Sequence, residues 1–98
     1  MNDKIKNAET DMLFKGILEL KSIEECYAFF DDICTIHEIQ SLAQRLSVAS
    51  SLKAGKTYSE ISDETGASTA TISRVNRAFN YGSDGYKTIL GRLEKKGV

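Results

Sequence analysis

Residues 58–78, YSEISDETGASTATISRVNRA, constrain the fold of this 98-residue chain more than any other stretch. They read as a helix-turn-helix, in which a short helix, a tight turn and a second helix place the second helix in a DNA major groove. Gly66 supplies the turn, where the backbone needs a positive φ without a Cβ clash. Ile61 lies five positions before it, Ile72 six after and Val75 nine after, an apolar set placed to hold the helices together. Ser62 is small enough for close approach, and Tyr58 and Phe79 are placed to close the ends of this small core. Thr57-Tyr58-Ser59-Glu60 matches a capping box at the start of the first helix. The second helix is expected to start near Ser68 or Thr69 and to expose Thr69, Ala70, Ser73, Arg74 and Arg77. A helical hairpin that never touches DNA is the plainer alternative.

The rest of the chain also reads as helix. It contains no proline and no long alternating pattern. Three S/T-x-x-E sequences, Ser22 to Glu25, Thr35 to Glu38 and Thr57 to Glu60, mark helix starts. Gly55, Gly66 and Gly82 mark stops. Six helices follow, over residues 4–20, 23–33, 36–53, 58–65, 69–80 and 84–96 of a single all-α domain. The third carries Ile39, Leu42, Leu46, Ala49 and Leu52 at three- and four-residue steps, the apolar stripe of a scaffold helix.

The N-terminal third holds more apolar surface than a chain this short covers by itself. Ile5, Met12, Leu13, Ile17, Leu18, Leu20, Ile23, Tyr27, Phe29, Phe30 and Ile33 all lie in it. Self-association of residues 5–34 is the expected solution, and folding back onto the domain is the alternative. Two-fold symmetry also suits the motif, since one recognition helix reads only a half-site.

A net charge of -1 conceals an asymmetry. Residues 1–44 hold four Lys/Arg and nine Asp/Glu, a net of -5; residues 45–80 and 81–98 each carry +2. The excess of positive charge thus lies in the half that carries the motif, as contact with phosphates requires.

Catalytic and metal chemistry find little support. Cys26, Cys34 and His37 are too few and wrongly spaced for a structural zinc site. The two cysteines are expected to be buried small hydrophobes and His37 to be exposed. No glycine-rich phosphate loop or Ser-His-Asp arrangement is present. The acidic pairs Glu24-Glu25 and Asp31-Asp32 point in different directions on a helix, so neither forms a paired acid and base. No enzyme activity, cofactor or metal is expected. No run of about 18 apolar residues spans a membrane and the N-terminus lacks a signal-peptide core, so a cytoplasmic protein is expected.

The run EIQSLAQRLSVASSLKAGKTYSEISDETGASTATISRVNRAFNYG resembles the bacterial tryptophan repressor, and more closely the YerC/YecD group of tryptophan-repressor-like proteins. GASTATISR, residues 66–74, carries the resemblance most strongly, as the glycine turn and the start of the recognition helix. The resemblance implies an intertwined all-α homodimer. Residues 1–34 would form the dimerisation region, 36–53 the scaffold helix, 58–80 the helix-turn-helix and 84–96 a C-terminal helix. Thr69, Ala70, Thr71 and Ser73 would face the bases, through water and DNA shape rather than bidentate contacts. Arg45, Lys53, Lys56, Arg74 and Arg77 would contact phosphates or pair locally. The family's tryptophan is bracketed by two arginines, which match Arg45 and Arg74. The residue after the second is glycine in the tryptophan repressor and Val75 here, which is expected to close the pocket. These features imply a DNA-binding transcriptional regulator, a repressor without tryptophan as co-repressor and with no identified effector. The alternative function is a helix-turn-helix used as a protein-interaction module with incidental DNA affinity.

Overall fold

Side-chain oxygens start most of the helices. In the computed structural model, which describes residues 2–97, they cap the orphan N–H groups of a first turn. Six α-helices are found among the described residues: α1 (Ala8–Leu18), α2 (Ile23–Ile33), α3 (Ile36–Lys53), α4 (Tyr58–Thr65), α5 (Thr69–Tyr81) and α6 (Gly85–Lys95). No strand occurs among those residues.

The capping boxes at Thr35 and Thr57 are complete. The Thr35 and Thr57 hydroxyls accept from the N–H groups of Glu38 and Glu60, and each glutamate accepts from the threonine's own N–H. Those backbone N–H bonds, then the side-chain bonds, hold the Glu38 and Glu60 carboxyls below their ordinary range. The Ser22 box differs: Ser22 caps Glu25, but Glu25 reaches back one residue further, to the N–H of Lys21.

The first helix is shorter than its sequence suggests. Asp3–Ile5 form a separate 3-10 turn, and α1 begins only after Asn7, whose side chain accepts from the Thr10 N–H at 2.9 Å. Asn7 has β-region dihedrals, so the helix cannot run through it. Gly55 and Gly66 stop their helices with φ of +81° and +72°. Gly82 acts by another means: its φ is -88°, and a Cβ there would collide with the Ala78 carbonyl oxygen.

The chain divides within α3, between Ile39 and Gln40, into two structural units. The second unit holds the core, formed by Val48, Ala49, Ile61, Ala67, Ile72, Val75 and Leu90. Leu46, Leu52, Phe79 and Tyr86 pack around this cluster. The expected stripe on α3 is therefore split, with Leu46, Ala49 and Leu52 serving the core while Leu42 stays 49% exposed. Helix α5 packs on both α4 and α6.

The first unit contains no buried residue among those described. Met12, Leu18, Ile23 and Tyr27 are each more than 70% exposed. Ile23, Cys26, Tyr27, Phe30 and Ile39 line an open apolar groove of about 290 Å³. Cys26 is exposed in that groove and Cys34 half-buried, so neither is the buried hydrophobe expected of it; Phe29 and Phe30 stack edge to face.

Candidate nucleic-acid interface

The helix-turn-helix is assembled around Gly66. Its N–H donates to the Ser62 carbonyl at 2.9 Å as α4 ends. Thr65 bridges the turn: its hydroxyl donates to the Ile61 carbonyl at 2.7 Å and accepts from the Ala67 N–H at 3.1 Å. Gln44 of α3 donates to the Thr65 carbonyl at 3.2 Å, tying the turn to the scaffold helix. Ala67, 1% exposed, drops into the core beside the glycine. Ser68 then caps α5 by accepting from the Thr71 N–H. Ile61, Ile72 and Val75 are all at most 2% exposed, which locks α4 and α5 together.

Packing on this scale decides which side of α5 is free. Thr69, Ala70, Ser73, Arg74 and Arg77 are exposed, while Ile72 and Val75 face inward. Thr71 is half-buried and its hydroxyl accepts from Ser68 at 3.1 Å, so it lies at the edge of the exposed surface rather than within it. Among the described residues, Arg45, Arg74 and Arg77 pair with no carboxylate. The two lysines of the expected phosphate set are engaged. Lys53 pairs with Glu94 at 3.0 Å, and Lys56 bonds both carboxylate oxygens of Glu64 at 2.8 Å. Exposed ion pairs of this kind are worth little and yield readily to a better partner.

Arg45 and Arg74 do come to one place. With Gln44, Thr71, Val75 and Tyr86 they line a cleft of about 300 Å³ with mixed polar and apolar walls. Val75, 2% exposed, packs in the core, and its side chain forms one wall of this cleft. Among the described residues no group of three His, Cys, Asp or Glu side chains is placed to hold a metal ion, and no helix is long and apolar enough to cross a membrane.

Sequence reasoning missed one polar constellation. Tyr58 does not close the core; it is 37% exposed and accepts a hydrogen bond from Asn76 at 3.1 Å. Asn76 in turn is held by Asn80, four residues on. The i,i+4 spacing of two amides on one helix was the available signal.

Comparison with known proteins agrees with this geometry. The sequence profile of the family described as Trp repressor protein matches residues 8–94. The chain is 61% identical, over 95% of its length and 89% of the relative's, to the uncharacterised protein YerC of Bacillus subtilis (strain 168). In structure it is similar to a candidate Trp repressor from Staphylococcus aureus, with a TM-score of 0.92, 55% identity and coverage of 96% of this chain and 95% of the other. A TrpR-like protein from Eubacterium eligens matches with a TM-score of 0.92 and 54% identity, over 95% of this chain and 96% of that one. With the profile spanning most of its length and relatives this similar end to end, the chain belongs to the Trp repressor family, and with it to the helix-turn-helix DNA-binding regulators.

Proposed function

We propose that this protein is a transcriptional repressor that binds a specific DNA site as a homodimer, with α5 in the major groove. The observation that supports this most is the exposed face of α5, where short side chains at Thr69, Ala70 and Ser73 adjoin the unpaired Arg74 and Arg77. Short groups let the backbone approach the base edges closely, and the arginines reach phosphates. Lys53 and Lys56 join them by exchanging Glu94 and Glu64 for phosphate. Occupying a promoter is sufficient mechanism, with no bond made or broken. Affinity for duplex DNA then falls steeply with salt, because each lysine or arginine at a phosphate displaces condensed counterions. With about four contacts per subunit, the logarithmic slope is expected to exceed about 5 for a dimer. Salt-insensitive association with a protein and no DNA affinity would instead identify an interaction module.

A second copy of the chain is the partner proposed for the first unit's apolar groove. Tyr27 is 73% exposed and contacts no buried core, so Tyr27→Asp costs a lone subunit little. Buried in a dimer interface, an unpaired carboxylate there is strongly unfavourable. Light scattering is expected to show the wild type at twice the 10.8 kDa chain mass, and Tyr27→Asp mainly at the single mass with DNA affinity lost. A variant that stays dimeric would place the interface elsewhere.

The co-repressor proposal is that tryptophan is not required. Where the tryptophan repressor has a glycine after its second bracketing arginine, Val75 follows Arg74 here, and its branched side chain takes up part of the space that a glycine leaves to the indole.

A further inference from the structure

Tyr58 opens α4, and Asn76 and Asn80 lie one turn apart on α5. The Asn80 side-chain amide nitrogen donates to the Asn76 backbone carbonyl at 3.0 Å and to the Asn76 Oδ1 at 2.9 Å. With its oxygen held on that side, the Asn76 amide turns its Nδ2 toward Tyr58 and donates to the Tyr58 Oη at 3.1 Å. A phenol hydroxyl both donates and accepts, and here the accepting role is taken. The Tyr58 proton is left over: among the described residues it is donated to no protein group. The ring is 37% exposed, so that proton is available to a ligand outside the chain.

The acceptor such a group fits is set by where it stands. Tyr58 is the first residue of the leading helix of the motif, and in helix-turn-helix complexes that helix crosses the phosphate backbone. We propose that Tyr58 donates its hydroxyl proton to a DNA backbone phosphate, with Asn76 and Asn80 as positioning residues that act through it. This rests on the DNA-binding function proposed above. The contact is neutral, so it sets the register of the protein on the duplex without displacing a counterion. A relay from α5 to the start of α4 also ties this phosphate contact to the orientation of the recognition helix.

The test uses the whole protein and a duplex that the wild type binds. Tyr58→Phe is expected to weaken binding about tenfold, equally across duplex sequences, as loss of a hydrogen bond to a charged acceptor implies. Its salt slope is expected to equal that of the wild type. Asn76→Ala loses a similar factor alone and nothing further in the Tyr58→Phe background. Asn76→Asp is at least as damaging, because the new carboxylate takes the tyrosine proton for itself. Replacing phosphates one at a time by neutral methylphosphonates then finds a position that weakens the wild type and leaves Tyr58→Phe unaffected. Tyr58→Phe binding within twofold of the wild type, or additive losses with Asn76→Ala, would overturn the inference while leaving DNA binding intact. A wild type that binds no duplex would overturn both.

Discussion

Ala70→Glu is expected to reduce DNA affinity at least about 100-fold while leaving helix content and melting temperature unchanged. The two halves of this expectation have separate physical grounds. Ala70 is the second residue of α5 and is exposed, so a longer side chain meets no protein atom that must move. An acid in the first turn of a helix is favoured by the macrodipole, by about 0.3–1 kcal/mol, so folding does not suffer. The same carboxylate, if α5 lies in the major groove, is pressed against phosphates and base acceptors, and it draws Arg74, four residues on, away from phosphate. Fluorescence anisotropy on a bound duplex, with circular dichroism on the same samples, separates the two effects. Ala70→Gln, of the same length but uncharged, shows how much is steric. Normal binding by Ala70→Glu would mean that the exposed face of α5 is not the DNA surface.

Ile61→Ala is expected to have the largest effect on the fold. The side chain is fully buried where α4 meets the core, and the Ile61 carbonyl also accepts the Thr65 hydroxyl that orders the turn. Removing three carbons at such a site costs about 2–5 kcal/mol, from lost burial and the cavity left behind. Small domains have only about 5–15 kcal/mol in hand. A fall in melting temperature of roughly 10 °C or more follows. Ile61→Val should lose about 0.5–1.5 kcal/mol, which gives a graded control. DNA affinity is expected to fall with the population of folded motif, in contrast to Ala70→Glu, where it falls without unfolding. Thermal melts matching the wild type would contradict the placement of α4 on this core.

The contrast between these two positions shows what the sequence carried. Helices α2, α3 and α4 begin where Ser22, Thr35 and Thr57 place them, because a capping box is local: its donor and acceptor lie three residues apart. The Gly66 turn and the apolar offsets at Ile61, Ile72 and Val75 were legible for the same reason. What escaped depends on contacts between distant parts of the chain. Nothing near Lys53 or Lys56 in sequence announces Glu94 or Glu64 as partners. Leu90 of α6 enters the core beside residues of α3, and only the packed structure says so. Tyr58 was read by its ring, as an apolar end-piece, when its hydroxyl is the part the fold uses. At α1 the local signal was Asn7, whose side chain caps a helix that starts at Ala8 and so rules out one that runs on from residue 4.

Selection from a random duplex-DNA pool by the purified protein, run with and without L-tryptophan and then sequenced, tests the central claim most directly. An enriched two-fold-symmetric site, the same in both arms, is the predicted result; it would establish a dimeric, sequence-specific DNA reader that works without tryptophan. Enrichment only in the presence of tryptophan would keep the DNA reader and overturn the reading of the cleft beside Val75. No enriched sequence in either arm would contradict the proposed function itself.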